Sequence, residues 1–362
     1  MRTYRVPMVP GPTAVPPAVL AAYQADYGSA DLEDEYFDLY AQTEGQLQLI
    51  LQTRNQCAIM TGEGMLALWG AVKSCLKAGD RVLAVSTGLF GSGIGDLARS
   101  IGAQVESVDF PWNAVADPDQ VEAAIKRVRP KMVTMVHCET SSGTLNPVGA
   151  VGALVAKHDV PLFYVDGVSS AAGTELLIDG WHIDLGLIGT QKCLSSPPDL
   201  AIVTVSERAW RAVDEVGYQG YDALAPWKTA LSDRYFPYTP YWQGLAALSQ
   251  ACQLILAEGL AAVFARHAQA AQACRQGLAE LGLELYSGQE TYSSPTVTAV
   301  QVPGQLGWAE LDKRLRRRGV AVGGNYGQLA GKVFRLGHMG SQARVDLVQE
   351  ALEALREALA GE

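Results

Sequence analysis

The amino-acid sequence predicts an α/β fold with a large domain on a mostly parallel seven-stranded sheet and a smaller α+β domain at its C-terminal end. Three observations lead to this prediction. The chain has 362 residues, which exceeds the size of one ordinary hydrophobic core. Short runs of β-branched residues alternate with helical patterns, as is typical of parallel sheets with crossover helices. From about Leu245 the pattern changes to long helices followed by a few strands.

The large domain is predicted over residues 21–244, after a proline-rich N-terminal segment of residues 1–20. Its seven candidate strands cover residues 57–60, 81–86, 104–108, 132–137, 161–166, 185–190 and 201–206. Helical patterns lie between many of them, for example at 117–129 and 148–158. Because open α/β sheets bind ligands beyond the C-terminal ends of their strands, we expect functional residues at that edge.

The smaller domain is predicted over residues 245–362. A helical tract rich in alanine and leucine reaches Leu281 and is interrupted at Glu258 and Gly259. Strands are expected at 297–302, 320–322 and 333–336, and helices at 308–318 and 343–359.

The composition limits the classes of function. A net charge of −10 argues against a nucleic-acid partner, since binding to a phosphate backbone requires clustered positive charge. The basic run at 313–318 is interpreted as a solvated helix face. No apolar stretch is long enough for a signal peptide or a membrane span, so we expect a cytoplasmic protein. The six cysteines lack C-x-x-C spacing, which predicts reduced, mostly buried thiols rather than a metal site or disulfide bonds.

Two residues at strand ends carry the chemical argument. Asp166 ends the fifth candidate strand and Lys192 follows the sixth, so an acid and a lysine share one edge of the sheet. Alone, the aspartate is ordinarily a turn or helix cap and the lysine a solvated residue. Together they match what pyridoxal phosphate requires, which is a lysine to form an imine and a carboxylate to keep the ring nitrogen protonated.

Further segments occur in an order that resembles the class V aminotransferases of fold type I, in particular the alanine–glyoxylate and serine–pyruvate aminotransferases. The resemblance covers nearly the whole chain. Besides the segments around Asp166 and Lys192, the matching segments are residues 10–13, 61–65, 88–91, 137–143, 238–240 and 335–340. The resemblance implies the type I fold, bound pyridoxal 5'-phosphate and a homodimer with a shared active site.

The resemblance also implies a role for each matched residue, with Lys192 and Asp166 as the catalytic pair. Arg335 would bind the substrate carboxylate through two parallel hydrogen bonds, and Gly11 belongs to the substrate-site turn. Thr239 reaches the phosphate from the partner subunit in this family. The full set of implied cofactor contacts is Gly64, Met65, Phe90, Thr140, Asp166, Ser169, Gln191, Lys192 and Thr239.

Two positions depart from the family pattern. Glu63 stands where the family has a small hydroxylated residue, and a carboxylate beside a phosphate dianion is unfavourable. The preferred interpretation is that Glu63 points outward while the amides of Gly64 and Met65 contact the phosphate. The alternative is the pyridoxamine–pyruvate transaminase branch, which has an acid in this turn and takes the unphosphorylated vitamer as substrate; that branch has a second arginine where this chain has Tyr326. Asp199, where the family commonly has glycine, leaves the shape of the loop after Lys192 open.

The expected reaction is transamination between alanine, serine or aspartate and glyoxylate or pyruvate. A nicotinamide-dependent dehydrogenase is disfavoured, because the strand after the glycine turn ends at Ser86 without an acid for the ribose. A cysteine desulfurase or another lyase would share the fold, but a desulfurase needs a thiol on a loop near the arginine and residues 319–342 contain none. A non-catalytic cofactor-binding module gives no reason for both Lys192 and Arg335.

Overall fold

The computed structural model describes residues 4–361, which form thirteen β-strands and twelve α-helices. The strands are β1 (Val6–Met8), β2 (Gln56–Thr61), β3 (Arg81–Ser86), β4 (Gln104–Asp109), β5 (Met132–Val136), β6 (Cys138–Glu139), β7 (Thr144–Leu145), β8 (Leu162–Asp166), β9 (Leu185–Gly189), β10 (Leu200–Val205), β11 (Val297–Gln301), β12 (Val320–Val322) and β13 (Val333–Gly337). The helices are α1 (Pro17–Gln24), α2 (Asp34–Leu51), α3 (Gly64–Cys75), α4 (Leu89–Ser100), α5 (Pro118–Val128), α6 (Val148–Lys157), α7 (Glu207–Val216), α8 (Ala230–Asp233), α9 (Trp242–Glu258), α10 (Leu260–Glu280), α11 (Trp308–Arg317) and α12 (Val345–Ala360).

Seven strands form the main sheet in the order β2-β10-β9-β8-β5-β3-β4. β10 is antiparallel to β2 and β9, and the other neighbouring pairs are parallel. This confirms the predicted α/β fold and its mostly parallel seven-stranded sheet. Each predicted strand corresponds to one strand of this sheet. The match is close because β5, β9 and β10 are buried along their whole length and therefore read as continuous apolar runs.

Three smaller pairs of strands lie outside the main sheet, and one of them is the antiparallel pair of β6 and β7. β11 is antiparallel to β13, and β1 is parallel to β12 with Val6 opposite Val320. β1 was not predicted, because three residues are too few to show an alternating pattern. Its pairing places the N-terminal segment beside the last strands of the chain, and this brings residues 10 and 11 to the edge of the main sheet.

The division of the chain at residue 245 stays a prediction, and α9 spans that position. The predicted ranges 1–20 and 245–362 include residues 1–3 and 362, which lie outside the described residues. α9 and α10 meet at Gly259, where the sequence predicted an interruption, and their axes bend there by 88°. Among residues 4–361 no single helix has the length and apolar composition of a membrane span; this bent pair reaches them only when both helices are counted together.

The hydrophobic core has two main clusters. The larger cluster surrounds the main sheet and includes Phe163 of β8 and Met132 of β5. The smaller cluster packs β1, β12 and β13 against α10, α11 and α12, with Met8 and Phe334 at 0% exposure. All six cysteines are buried and unpaired, as the sequence predicted for most of them. The candidate site lies where these two clusters meet.

Candidate active site

Asp166 and Lys192 lie at neighbouring strand ends and line one cavity. Asp166 is the last residue of β8, and Lys192 follows β9 in the turn before β10. β8 and β9 are parallel neighbours, so their C-terminal ends open on the same edge of the sheet. The cavity at this edge has a volume of about 520 Å³. Nine predicted site residues line it, namely Gly11, Gly64, Met65, Phe90, Thr140, Asp166, Ser169, Gln191 and Lys192.

A second cavity of about 380 Å³ adjoins the first and contains another predicted residue, Arg335. The two cavities share Gly11, Phe90, Thr140 and Lys192. Thr239, the remaining predicted residue, lines neither cavity of the single chain. Its contact with the cofactor stays a prediction that requires a second copy of the chain.

The N-terminal segment encloses the side chain of Lys192. Nζ of Lys192 donates a hydrogen bond to the backbone oxygen of Pro10. A Cβ atom on Gly11 would lie 2.5 Å from Cδ of Lys192, and Gly11 has a φ of +96°, so both space and backbone conformation favour glycine. Burial lowers the pKa of Lys192, and the charge of Arg335 lowers it further. A lowered pKa increases the share of neutral amine, which is the form that attacks a carbonyl carbon.

The carboxyl group of Asp166 lies in an environment that favours a neighbouring cation. Its Oδ1 accepts a hydrogen bond from the amide of Val168 over 2.8 Å. Burial raises the pKa of Asp166 to about 6, although the Val168 amide lowers it, and the charges of Glu139 and Glu63 add to the rise. A cation beside this group would stabilise its ionised form. Asp166 is therefore suited to pair with a protonated ring nitrogen.

The Glu63 side chain turns toward the cavity, and the prediction that it points outward is wrong. Glu63 is the N-cap residue of α3, and its Oε2 accepts the amide of Met65 over 3.0 Å. Its Oε1 accepts a hydrogen bond from Nε2 of Gln191 over 2.9 Å. The physical reason is that a helix N-terminus presents unsatisfied N–H groups, which attract a carboxylate. Two donors that the resemblance implies for a phosphate are therefore bound to the chain's own carboxylate.

This arrangement leaves one acceptor of Gln191 without a hydrogen-bond partner in the described part of the chain. An ionised carboxylate accepts hydrogen bonds and donates none, so the amide nitrogen of Gln191 must face Glu63. The Oε1 atom of Gln191 is then buried and has no hydrogen-bond partner among residues 4–361. A buried acceptor without a donor costs free energy.

The loop after Lys192, whose shape the sequence left open, is fixed against the turn at the start of α3. The backbone oxygen of Asp199 accepts the amide of Gly62 over 2.7 Å. Within the loop the amide of Asp199 donates to the backbone oxygen of Pro197 over 3.0 Å. The hydroxyl of Thr190 also donates to Pro197 and to Leu200. An aspartate in place of glycine is thus compatible with an ordered loop.

Aromatic and hydroxyl groups line the middle of the cavity. Phe90 is the second residue of α4 and lines both cavities. The hydroxyl groups of Thr140 and Ser169 are hydrogen-bonded to each other, which joins the segment after β6 to the turn after β8. The backbone oxygen of Ser169 accepts the hydroxyl of Thr296 over 2.7 Å. These contacts order the polar groups at the C-terminal edge of the sheet.

Arg335 lies in β13 and is 4% exposed. Its Nε and Nη2 donate to the backbone oxygen of Gly324, and its Nη1 donates to the backbone oxygen of Thr140 over 3.4 Å. The ring of Tyr326 covers the guanidinium, with 5.0 Å from Cζ to the ring centroid. Of the five N–H groups of an arginine, one on each terminal nitrogen then remains for a ligand. That pair matches the two oxygens of a carboxylate.

Three residues near the cavities were given no role by the sequence. Glu139 is 0% exposed and accepts hydrogen bonds from the start of α4. Asn325 donates from Nδ2 to the backbone oxygen of Ser141 over 2.7 Å, and Tyr326 covers the arginine. The position of Glu139 within the matched segment 137–143 was a sequence signal that this residue has a role. Its partners lie far earlier in the chain, however, and a single sequence does not reveal them.

Comparison with known proteins identifies the family. The family model described as aminotransferase class-V matches residues 8–347. An uncharacterized aminotransferase of Methanocaldococcus jannaschii is 37% identical over 339 residues, covering 92% of this chain and 87% of that protein. The serine–glyoxylate aminotransferase of Methylorubrum extorquens is 33% identical over 356 residues, covering 94% of this chain and 87% of that protein.

Solved structures agree with this assignment. The crystal structure of pyridoxamine–pyruvate aminotransferase from Mesorhizobium loti has a TM-score of 0.96 and 31% sequence identity, and the match covers 99% of this chain and 93% of that one. The predicted family, enzyme class and cofactor are thereby confirmed. The chain belongs to the class V aminotransferases, which are pyridoxal-phosphate-dependent enzymes of fold type I.

Proposed function

We propose that this chain transfers an amino group between alanine or serine and glyoxylate or pyruvate. The observation that carries the proposal is that Lys192 and Arg335 line the same cavity. A small amino acid whose carboxylate binds Arg335 would place its α-carbon near the lysine amine. The name of the serine–glyoxylate relative supports an amino acid and a small oxo acid as the two substrates.

The reactive half of pyridoxal phosphate fits the larger cavity. Lys192 offers an amine with a lowered pKa, and Asp166 offers a carboxyl group whose burial favours a cationic partner. Phe90 would cover one face of the ring, and Thr140 and Ser169 would contact its polar edge. At the other end, Gly64, Met65, Gln191 and Thr239 would hold the phosphate. The carboxylate of Glu63 must turn away from α3 before a phosphate can bind there.

Arg335, Lys192 and Asp166 have separate roles in the proposed reaction. When bound, the cofactor supplies a ring that withdraws electrons from the α-carbon of the amino acid. Arg335 orients the substrate by its carboxylate. The amine of Lys192 removes the α-proton as a general base and later returns a proton as a general acid. Asp166 keeps the proton on the ring nitrogen throughout the cycle.

A panel of amino donors tests this proposal. Alanine, serine and aspartate would be supplied with glyoxylate and with pyruvate, in the presence and absence of pyridoxal phosphate. We expect turnover with alanine or serine that depends on added pyridoxal phosphate. Activity with pyridoxamine alone, and with none of these amino acids, would contradict the proposed donors.

A second candidate function follows from the Glu63–Gln191 pair, namely transfer between pyridoxamine and pyruvate. A hydroxymethyl group donates one hydrogen bond and carries no charge, so it suits the carboxylate of Glu63 better than a phosphate does. Tyr326, which replaces an arginine of that transaminase branch, argues against this candidate. Pyridoxamine and pyruvate without any phosphorylated vitamer would give pyridoxal and alanine if it holds, and no product if it does not.

We further propose a homodimer in which Thr239 of each copy completes the site of the other. The position of Thr239 outside both cavities supports this arrangement. Sedimentation would show the dimer, and full activity in a monomer would contradict it.

We propose a cytoplasmic location because six unpaired thiols suit a reducing compartment. Fractionation of cells would test that location.

A further inference from the structure

Glu139 is a buried carboxylate that the proposed reaction does not use. It ends β6 and has 0% of its surface exposed. Its Oε1 accepts the amide of Phe90 over 3.2 Å and the hydroxyl of Ser141 over 2.7 Å. Its Oε2 accepts the amide of Gly91 over 3.1 Å. Burial raises the pKa of Glu139, whereas these three donors lower it and so compensate part of the cost of a buried charge.

These contacts cap α4 from a neighbouring strand. Phe90 and Gly91 belong to the first turn of α4, whose N–H groups have no acceptor within the helix. The N-cap residue, Gly88, has no side chain to accept them. A Cβ atom on Gly88 would lie 2.5 Å from Cγ of Glu139, so this position leaves space for the carboxylate. Glu139 thus does for α4 what an N-cap side chain does for other helices.

The same residue also fixes the opposite side of the cavity. Glu139 directly precedes Thr140, which lines both cavities together with Phe90. The hydroxyl of Thr140 is paired with Ser169, and its backbone oxygen accepts a hydrogen bond from Arg335 over 3.4 Å. One carboxylate therefore joins the aromatic side of the cavity to its polar side. Glu139 itself lines neither cavity.

We propose that Glu139 is a positioning residue that holds Phe90 against the face of the cofactor ring and Thr140 at the polar edge of that ring. The inference rests on the proposed placement of the ring in the larger cavity. Glu139 acts through the backbone of α4 and touches neither ring nor substrate. Its loss would let the first turn of α4 move, and Phe90 would then no longer be held against the ring.

The test compares cofactor binding and thermal stability in matched variants. In Glu139→Gln, an amide nitrogen replaces one carboxylate oxygen, so at least one of the amides of Phe90 and Gly91 loses its acceptor. Glu139→Asp keeps the charge but shortens the side chain, and Gly88→Ala pushes the carboxylate away without changing it. Glu122→Gln is the control, because Glu122 pairs with Lys157 on the surface. Each cofactor-free protein would be titrated with pyridoxal phosphate and, separately, with pyridoxal, and followed by visible absorption and visible circular dichroism.

We expect Glu139→Gln and Gly88→Ala to weaken vitamer binding by roughly tenfold or more and to reduce the visible dichroism per bound molecule. Glu139→Asp should recover part of both, and Glu122→Gln should match the wild type. Far-UV circular dichroism establishes which variants fold; should Glu139→Gln not fold, Gly88→Ala decides. Folded variants with lower melting temperatures but wild-type binding and dichroism would show a merely structural role and overturn the inference. A wild type that binds neither vitamer would instead refute the proposed function.

Discussion

Nε2 of Gln191 donates a hydrogen bond to Oε1 of Glu63 over 2.9 Å, at the end of the cavity where α3 begins. The same carboxylate accepts the amide of Met65 over 3.0 Å. A carboxylate of the chain thus occupies the place where the family resemblance implies a phosphate. The balance between phosphorylated and unphosphorylated vitamer should therefore depend on this one side chain.

Glu63→Ser should strengthen the binding of pyridoxal phosphate relative to pyridoxal by at least roughly tenfold. The change removes a like charge and frees two donors, and each hydrogen bond to a charged group is worth about 1.5–3 kcal/mol. Glu63→Gln should give a smaller effect, because its amide is neutral but still accepts from Met65. Titration of both vitamers into cofactor-free protein measures the ratio of dissociation constants. An identical ratio in all three proteins would show that Glu63 has no influence on the choice of vitamer.

Lys192→Ala should abolish the visible absorption band that appears when the protein binds pyridoxal phosphate. The band requires a covalent bond to the lysine amine, and alanine offers none. Lys157→Ala is a suitable control because that lysine is exposed on α6. The test compares absorption spectra of the wild type, Lys192→Ala and Lys157→Ala at equal cofactor concentration. A visible band retained in Lys192→Ala would contradict the proposed role of Lys192.

Arg335→Ala should raise the KM for the amino donor by at least roughly tenfold while the cofactor spectrum stays unchanged. The loss corresponds to one or more charge-assisted hydrogen bonds to the substrate carboxylate, each worth about 1.5–3 kcal/mol. Arg54→Ala, at a side chain that is 98% exposed, controls for the general effect of losing a positive charge. Steady-state kinetics give both parameters. A rise in KM below a few-fold would argue that the carboxylate binds elsewhere.

Gly11→Ala should slow the reaction of Lys192 with pyridoxal phosphate. The new Cβ atom would lie 2.5 Å from Cδ of Lys192, and the φ of +96° is strained for alanine. Gly45→Ala is the control and should leave this rate unchanged, because a Cβ atom at that position in α2 would have no neighbouring atom within 4 Å. We expect it to stabilise the fold by up to about 1 kcal/mol. Stopped-flow absorption and urea denaturation measure these effects; equal rates in both variants would contradict the role given to Gly11.

The free energy of unfolding of the cofactor-free protein should change with pH as Asp166 titrates. Its pKa in the folded state is about 6, above the ordinary value of 3.8, so the folded chain holds this proton more tightly than the unfolded chain. The stabilisation is complete below pH about 4 and is lost as the pH rises through about 6. Asp166→Asn lacks this titration. The free energy of unfolding would be measured in urea from pH 4 to 8. The value for the wild type minus the value for the variant should therefore decrease as the pH rises. A difference that is flat with pH would contradict the raised pKa.

The fold was predictable because its strands are short apolar runs that end at turn residues. β3 has the predicted bounds, and β5, β8 and β9 begin or end within one residue of them. The pairing of β1 with β12 was not predictable, since it joins three residues at one end of the chain to three residues far away. Local periodicity carries no information about such a contact.

Ten of the eleven predicted site residues line the two cavities, whereas the hydrogen bonds among them were not predictable. Asp166 and Lys192 follow neighbouring strands, so the topology of the sheet alone brings them together. The direction of Glu63 depends on Gln191 and on the free amides of α3, which only the folded chain places side by side. The role of Thr239 depends on a second copy of the chain. The roles of the site residues therefore stay predictions that the variants above test.

The parallel pairing of β1 with β12 has a consequence for synthesis on the ribosome. Val6 cannot find its partner until Val320 has left the exit tunnel, although the main sheet is already translated by then. Pro10, whose backbone oxygen holds the amine of Lys192, lies just beyond β1, and Arg335 is translated after β12. A nascent chain thus carries Pro10 and Lys192 long before it carries β12, whose pairing with β1 places Pro10 beside the lysine. The cavity that contains both Lys192 and Arg335 therefore cannot be complete before residue 335 has been translated.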